Sequence, residues 1–376
     1  MKTKVLHFIH GLSMGGAETL VKEYCLKLDK EKFDVSVLCF HRYDTPYEKM
    51  LEDAGVKVHY LSDGVKDYDK KFKKQPDRTL LILQRCLLLR NYIRKEAPDV
   101  IHTHLSISGY VLFANPKKET KVFHTVHNEP KKRWSKRISH RIDFFAAKQL
   151  IKKYHMRFIT LHEEMRKEVN ELFGVQDSLV LNNGIDFSRF ENALPKEVVR
   201  KQEGIPKDAY VIGHVGRFNA QKNHSLLIKA FYEIQKNKEN AFLLLIGHGD
   251  LMDEVKQMIV NLRIENKTKI LTKRPDVPDL MNAMDKFVFP SVFEGLGIVL
   301  IEAQKIGLEC VASDAVPDAA TVSNLVKKVN LTCTAEEWAE EIMNFHVEEP
   351  EYFGIEEWDM KTVAHRLEEF YTNGSN

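Results

Sequence analysis

The chain has 376 residues, of which 43% are hydrophobic and 29% are charged, and its formal net charge is +2. This composition is typical of a soluble globular protein, and the length favours two domains of roughly 180 residues each. No run approaches about eighteen apolar residues, which argues against a membrane-spanning helix. The apolar run Val5–Ile9 near the start is too short for a signal peptide.

Charge is distributed unevenly along the chain. Residues 1–184 contain 34 Lys and Arg against 23 Asp and Glu, a net +11, whereas the remainder has 22 against 31, a net −9. This asymmetry suggests that the first half faces an anionic partner. The cysteines have no metal-ligand spacing, so we expect buried thiols in a reducing cytoplasm. They are Cys25, Cys39, Cys86, Cys310 and Cys333.

Strand and helix patterns alternate through both halves of the chain, which predicts right-handed βαβ units and parallel sheets. We place the boundary between the halves in the irregular segment Asn183–Gly204. The strands predicted in the first half are Val5–His10, Phe33–Phe40, Val56–Leu61, Val100–His104, Lys121–His127, Arg157–Leu161 and Leu179–Asn182. Those predicted in the second half are Val211–Val215, Phe242–Ile246, Lys269–Thr272, Phe287–Phe289 and Cys310–Ala312.

The segment 286–313 combines a strand, a glycine turn and a helix. Lys286–Ser291 alternates and is rich in Phe and Val, as in a short buried strand. After the turn, Ile298–Ile306 is predicted to be a helix that ends before Gly307. This order directs unpaired backbone N–H groups at one point and suits an anion. Glu294 and Glu302 bracket that point and can accept hydrogen bonds from sugar hydroxyls.

The spacing Pro290-Ser291-x-x-Glu294-Gly295-x-Gly297, with a second Glu at 302, resembles the signature of the retaining GT-B glycosyltransferases of the glycosyltransferase group 1 family. The resemblance implies that Glu294 contacts the transferred sugar and Glu302 the nucleotide ribose. It also implies that Gly295, Leu296 and Gly297 offer backbone amides to the sugar and diphosphate of the donor. The alternative is a plain strand–turn–helix packing unit with Glu302 on a solvated face.

A second glycine loop, His10–Glu18, follows the first predicted strand. Gly15 and Gly16 allow backbone amides to approach a phosphate closely. The spacing is not that of a dinucleotide fingerprint, and no acidic residue ends the second strand, so an NAD enzyme is disfavoured. Gly-Gly-Ala-Glu resembles the first loop of the same family, which faces the donor pyrophosphate. A tight strand-to-helix turn is the alternative.

Two segments that contain histidines are candidates for a functional role. His102 and His104 point to the same face of a predicted strand, but no third ligand has a recognisable spacing to them, so a metal site is not predicted. We expect His104 to line a cleft at the strand end. The family places a histidine beside the anomeric carbon at the position of His127, which implies that His127 is catalytic. A strand-end histidine bonded to backbone is the alternative, and His124 is expected to be structural.

Cations follow the first strand of the second half. Arg217 and Lys222 can neutralise a departing diphosphate, the arginine through a bidentate fork and the lysine as a point charge. The family has a Glu where this chain has Gln221, and both cations remain. Resemblance further implies that Gly247 borders the nucleotide and that Arg274 lies near its base.

Basic stretches in the first half suggest a lipid surface. Lys131–Arg157 contains ten Lys and Arg against one acid, Asp143, with apolar residues between them, and Lys66–Lys95 is similar. Basic amphipathic helices are attracted to anionic leaflets. We therefore expect peripheral contact with a membrane, ordinary solvated helix faces being the alternative. Nucleic acid is not expected, since no binding module is recognised.

The resemblance implies two Rossmann-like domains facing across a cleft that holds the active site. Residues 1–184 would form the acceptor-side domain, residues 185–355 the donor domain, and the last helix, in 356–376, would pack back on the first. The implied reaction moves a sugar, with retention, from a nucleoside diphosphate sugar (a UDP-sugar is favoured) to a glycan or polyprenyl-diphosphate-linked acceptor. Its implied setting is bacterial capsule or exopolysaccharide synthesis.

No metal or other cofactor is expected, because the one Asp-x-Asp sequence, Asp67-Tyr68-Asp69, lies in a Lys-rich segment rather than at a strand end. Two alternatives remain open. One is a UDP-sugar 2-epimerase of the same architecture. The other is a non-catalytic donor-binding scaffold subunit, which would have no need of Arg217, Lys222, Glu294 and Glu302.

Overall fold

The structure is a computed structural model that describes residues 1–13, 15–64, 78–105, 107–127, 130–134 and 138–373. Residues 66–77 of the basic stretch Lys66–Lys95, with Asp67-Tyr68-Asp69, lie outside these residues. The chain divides into two compact units. The first contains Met1–Gly184 and the residues from Glu357 on, and the second contains Ile185–Glu356.

Each unit is built on a parallel sheet. The described strands of the first unit are β1 (Thr3–Ile9), β2 (Phe33–Cys39), β3 (Lys57–Tyr60), β4 (Val100–His104), β5 (Lys121–Thr125), β6 (Arg157–Thr160) and β7 (Leu179–Val180). Those of the second are β8 (Tyr210–Val215), β9 (Ala241–Ile246), β10 (Thr268–Leu271), β11 (Lys286–Phe289), β12 (Glu309–Ser313) and β13 (Val326–Val329). The orders are β3-β2-β1-β4-β5-β6-β7 and β10-β9-β8-β11-β12-β13. The α/β class predicted from the sequence is confirmed.

Helices connect the strands of both sheets, as right-handed parallel crossovers require. In chain order the described helices are α1 (Gly16–Lys27), α2 (Pro46–Asp53), α3 (Arg78–Glu96), α4 (Ser108–Ala114), α5 (Pro130–Arg133), α6 (Ile138–Tyr154), α7 (Glu163–Phe173), α8 (Ser188–Glu191), α9 (Lys196–Glu203), α10 (His224–Asn237), α11 (Met252–Asn261), α12 (Val277–Asn282), α13 (Ile298–Lys305), α14 (Ala335–Asn344) and α15 (Met360–Asn373). Within the described residues, no helix has both the length and the apolar character needed to cross a membrane.

Side chains alternate between the two faces of β1, and the alternation determines which helices each side chain packs against. Leu6 and Phe8 enter an apolar core with residues of α6 and α7. Val5 faces the other way and packs with residues of α1 and α15. His7 lies on that second face, where its ring is 6.1 Å from the ring of Tyr24. A polar side chain is therefore placed inside an otherwise apolar layer.

The last helix, α15, is bound to the first unit by polar as well as apolar contacts. The carboxylate of Glu368 accepts a hydrogen bond from the backbone N–H of Asp29 at 2.7 Å. Lys121 Nζ donates to the carbonyl oxygen of Tyr371 at 2.8 Å, and the Tyr371 side chain is buried. These contacts bring a tyrosine from the chain end under the centre of the first sheet.

In the second unit, the loops that follow β8 and β9 pack backbone against backbone. Gly216 N–H donates to the Ile246 carbonyl at 3.0 Å, and Phe218 N–H donates to the His248 carbonyl at 3.0 Å. A Cβ atom added to Gly249 would collide with backbone atoms of Phe218. Only glycine allows this approach, so the glycines of this loop hold the carboxyl ends of two strands together.

We expect Gly249→Ala to destabilise the protein by about 1–3 kcal/mol, because the new methyl group meets backbone that cannot rotate away. The control is Gly109→Ala in α4, where the nearest atom to an added Cβ is the Ala146 Cβ at 4.0 Å. That control should be neutral or slightly stabilising. Thermal unfolding followed by circular dichroism measures both, and equal midpoints for the two variants would contradict the packing argument.

Candidate functional site

Lys222 and Glu294 form an ion pair in the second unit. Lys222 Nζ donates to Glu294 Oε1 at 2.7 Å, and only 14% and 7% of the two side chains is exposed. The ammonium also lies 4.4 Å from the centre of the Phe289 ring. Because water is largely excluded, each charge depends on the other for compensation. The structure thus brings together two residues that the sequence predicted separately.

A short 3₁₀ turn, Ala220–Lys222, places Lys222 after β8. Asn219 Oδ1 accepts from the Lys222 N–H at 3.1 Å. Gln221 connects this turn to the glycine turn: its carbonyl accepts from the Val292 N–H at 2.8 Å, and its Nε2 donates to the Phe293 carbonyl at 3.0 Å. A carboxylate could not make that last bond. Gln221, which stands where the family has a Glu, therefore joins the 3₁₀ turn to the glycine turn.

The glycine turn leads directly into α13. Gly297 has φ +92° and precedes the helix without a side-chain cap. A Cβ atom there would lie 3.1 Å from the Phe289 ring, whereas nothing lies within 4 Å of a Cβ added to Gly295. Leu296 between them is buried. The backbone at Gly295 therefore borders open space, next to the uncapped N–H groups of a helix start.

Glu302 lies on α13, two turns after the glycine turn. Part of the residue reaches solvent, and burial of the rest raises the pKa of its carboxyl to about 7, against the partly opposing charge of Arg189. Among the described residues, none donates a hydrogen bond to this carboxylate. The oxygens of Glu302 are therefore available to hydrogen-bond donors from outside the described part of the chain.

The two predicted arginines differ in their surroundings. Arg217 is exposed on the loop after β8 and takes part in no ion pair within the described part of the chain. The Arg274 guanidinium donates to Asp276 Oδ1 and to Glu203 Oε1, each at 2.8 Å. Glu203 also pairs with Lys269 at 3.1 Å. Arg274 is therefore committed to a surface ion-pair cluster, and its contact with a base stays a prediction.

Gly15 and Gly16 lie at the start of α1 in the first unit. No side chain caps this helix, but the carboxylate of Glu18 lies so close to Gly15 that an added Cβ would collide with it. Ser13 Oγ donates to Glu18 Oε1 at 2.9 Å, while an added Cβ at Gly16 meets no atom within 4 Å. A carboxylate thus lies beside the helix start where the sequence predicted a phosphate.

His127 lies two residues beyond β5, at the edge of a buried histidine cluster. Its Nε2 is 3.1 Å from His104 Nδ1, and His104 Nε2 is 3.1 Å from His7 Nδ1. Sequence spacing could not reveal His7, because it reaches the cluster through the register of β1 and β4, which pairs His7 with His102. One ligand nitrogen each of His7, His102 and His104 lies within 4.8 Å of the others.

The buried imidazoles are neutral. Burial lowers the pKa of His7 to about 3, and it lowers the pKa values of His102 and His104 far below the usual range. His124 lies apart from this cluster and shares a 2.7 Å hydrogen bond with Thr103 Oγ1, a buried contact within the sheet.

Comparison with known proteins identifies relatives of both units. Residues 195–352 match the family described as Glycosyl transferases group 1, and residues 14–189 match Glycosyltransferase Family 4. The EpsF protein of Bacillus subtilis (strain 168), named as a glycosyltransferase, is 27% identical over 350 residues, which are 90% of this chain and 86% of EpsF. The Escherichia coli UDP-Gal:alpha-D-GlcNAc-diphosphoundecaprenol alpha-1,3-galactosyltransferase is 28% identical over 326 residues, 83% of this chain and 80% of that protein.

A solved structure matches this chain over nearly its whole length. The crystal structure of Anabaena Alr3699/HepE in complex with UDP matches with a TM-score of 0.74 and 19% sequence identity, covering 99% of this chain and 100% of that chain. At this identity the similarity concerns the fold.

Glu302 makes stability depend on pH. Its pKa is raised from 4.5 to about 7 on folding, so the folded state holds the proton more tightly and stability falls as pH rises between these values. We expect Glu302→Gln to exceed the parent in stability by up to about 3 kcal/mol at about pH 8, with the gain disappearing below about pH 4.

Urea unfolding across this pH range measures the difference. The control is Glu340→Gln, at an exposed position of α14, which should follow the parent throughout. A stability gain for Glu302→Gln that is the same at every pH would show that the carboxylate is not the cause.

Proposed function

Because the chain is a GT-B glycosyltransferase of the glycosyltransferase group 1 family, we propose that it moves a sugar from a UDP-sugar to a polyprenyl-diphosphate-linked glycan, with retention at the anomeric carbon. The Lys222–Glu294 pair beside the start of α13 is the observation that carries the proposal. The UDP of the Anabaena complex supports the choice of base, and the name of the E. coli relative supports that of acceptor. The proposed setting is bacterial surface polysaccharide synthesis.

Donor binding exchanges the partner of a buried cation. In the free protein Lys222 is compensated by Glu294. A diphosphate at the start of α13 offers Lys222 a stronger anion, and it also accepts from the backbone N–H groups at Gly295, Leu296 and Gly297. Arg217, which is exposed and lies outside the ion pairs of the described residues, adds a second cation. Glu294 is then released to accept hydrogen bonds from the sugar hydroxyls.

Glu302 recognises the ribose in this proposal. Vicinal ribose hydroxyls supply the donors that the carboxylate lacks in the free protein. Hydrogen bonds to a carboxylate favour its charged form, so donor binding lowers the pKa of Glu302 from about 7. Near neutral pH, binding therefore releases a proton.

In the transfer step the bond between the anomeric carbon and the diphosphate oxygen breaks, and a bond from that carbon to the acceptor oxygen forms on the same face. The acceptor hydroxyl passes its proton to the departing UDP oxygen, so no external base is consumed. Lys222 and Arg217 stabilise the negative charge that develops on the diphosphate. His127 donates a hydrogen bond to the transferred sugar.

An apolar and basic surface of the first unit suits a lipid-linked acceptor. Phe113 of α4 is 42% exposed, and Ile142 and Phe145 of α6 are 61% and 62% exposed. Lys148 and Lys152 are exposed on the same helix. Apolar side chains flanked by lysines favour an anionic leaflet, with each cation contributing about 1 kcal/mol near the surface. We propose that this surface contacts the membrane that carries the acceptor.

Lys222→Ala tests the donor site. We expect donor affinity to fall at least about tenfold, since a charge-assisted hydrogen bond is worth about 1.5–3 kcal/mol, and transfer to fall further because the leaving charge is uncompensated. The matched control is Lys236→Ala, which removes a surface lysine paired with Glu233 and should change neither. Calorimetry with UDP and UDP-sugars and a radiolabelled-sugar transfer assay give the two readouts.

In the parent, a UDP-sugar at about a hundred times its dissociation constant should add about 2.7 kcal/mol of stability, which GDP- and ADP-sugars should not match. Full transfer by Lys222→Ala would refute the assigned site. A new UDP-sugar epimer formed without acceptor would indicate a 2-epimerase instead.

The double variant Ile142→Ser/Phe145→Ser tests the membrane surface. We expect its binding to vesicles of anionic phospholipid to weaken by about tenfold or more, because two large apolar side chains no longer enter the bilayer interface. Val260→Ser, at a 48% exposed position of α11, is the control. Vesicle sedimentation at low and moderate salt measures binding, and equal binding by all three proteins would contradict the proposal.

A further inference from the structure

Two imidazoles, those of His7 and His104, connect the interior of the first sheet to His127. His7 Nδ1 lies 3.1 Å from His104 Nε2, and His104 Nδ1 lies 3.1 Å from His127 Nε2. The rings of His7 and His104 are stacked, with centres 5.4 Å apart. His7 and His104 are fully buried. The middle ring therefore uses both of its nitrogens on other histidines.

Neutral imidazoles impose a direction on such a chain. A neutral ring has one N–H donor and one acceptor nitrogen, and burial keeps His7 and His104 neutral. If His104 donates outward to His127, it must accept from His7. If it donates inward to His7, it must accept from His127. The two directions differ in what they leave at the inner end.

The inner end is His7 Nε2, which is buried and has no hydrogen-bond partner among the described residues. In the inward direction this atom would carry an unpaired N–H, whereas in the outward direction it carries only an unpaired lone pair. Buried donors without a partner are rarer in proteins than buried acceptors without one. The outward direction is therefore favoured: His7 donates to His104, and His104 donates to His127.

From this geometry we propose that His7 and His104 are positioning residues that hold His127 as the tautomer with its proton on Nδ1. The hydrogen bond made by one ring nitrogen determines the state of the other. Since the Nε2 lone pair of His127 accepts from His104, the Nδ1–H of neutral His127 can donate a hydrogen bond, and the ring has no second lone pair with which to act as a base. This deepens the proposed function, on which it rests for the role of His127: that residue is a hydrogen-bond donor to the sugar.

His102 belongs to the same buried layer but not to this chain of bonds. Its Nδ1 bonds to Tyr371 Oη at 2.6 Å, and its Nε2 bonds to Thr125 Oγ1 at 2.7 Å. It lies on β4, two residues before His104 and on the same face. Replacing His102 thus damages the same core without interrupting the contact between His104 and His127, which makes it a matched control.

The decisive measurement is the tautomer of His127 in the free protein, by nitrogen-15 NMR of histidine-labelled chain, with His127→Gln used to assign the signals. In the parent we expect Nδ1 protonated and Nε2 unprotonated. His104→Leu should move the proton toward Nε2, because the donor is gone. His104→Asn, whose amide nitrogen lies where Nδ1 was, should restore the parent pattern, and His102→Leu should leave it unchanged.

Kinetics supply a second readout. We expect His104→Leu to lower kcat about tenfold, which corresponds to about 1.4 kcal/mol, with KM for the donor nearly unchanged, and His104→Asn to recover most of the loss. If His104→Leu does not fold, His104→Met, which also lacks a nitrogen donor, replaces it and should shift the tautomer in the same direction.

Three results would overturn the proposal: a protonated Nε2 in the parent, no change in His104→Leu, or stoichiometric binding of added Zn²⁺ that His7→Phe abolishes. The last would make the cluster a metal site. The NMR result does not depend on turnover, so absent sugar transfer would count against the proposed function while leaving the tautomer assignment intact.

Discussion

The chemistry assigned to the second unit depends on a pair of opposite charges that have been removed from water. Lys222 and Glu294 are 72 positions apart in the chain and meet at 2.7 Å between the loops that follow β8 and β11. Removing either partner of such a pair leaves an uncompensated charge at a cost of about 3–5 kcal/mol. The pair therefore keeps both side chains in place in the free protein, and in the proposed function it is exchanged for contacts with the donor.

A carboxylate also lies at the corresponding point of the first unit. Glu18 lies against Gly15 at the start of α1, just as Glu294 precedes the start of α13. Both helix starts expose backbone N–H groups that favour negative charge, and in both the chain supplies that charge itself. A phosphate that binds at either helix start thus competes with a carboxylate. The affinity for phosphate then depends on which new hydrogen-bond partners the displaced carboxylate finds. In the proposed function, Glu294 gains hydrogen bonds from the sugar hydroxyls.

Most of the strands could be predicted from the sequence, because period-two alternation is a local pattern. The sequence did not predict β13, since Val326–Val329 contains two lysines and lies at the sheet edge, where burial does not impose a pattern. The sequence also did not predict the hydrogen-bond and ion-pair partners of the candidate residues. The binding of Arg274 to Glu203 and the approach of His7 to His104 come from strand register and chain folding over 71 and 97 positions. A motif could identify a candidate side chain but not the residue that forms an ion pair or a hydrogen bond with it.

The ion pair of Lys222 and Glu294 and the histidine cluster of the first unit offer different interactions. The pair offers charge, and the histidines offer neutral hydrogen bonding. Burial removes the charge from His7 and His104, so the layer behind His127 has no positive charge to offer a diphosphate. In the proposed function, compensation of the leaving group therefore comes from Lys222 and Arg217. The imidazoles are suited to a different task, because a neutral ring with a fixed tautomer presents one N–H donor, which can hydrogen-bond to an uncharged sugar hydroxyl. In the proposed function, His127 would therefore serve recognition of the sugar, and Lys222 would serve bond cleavage.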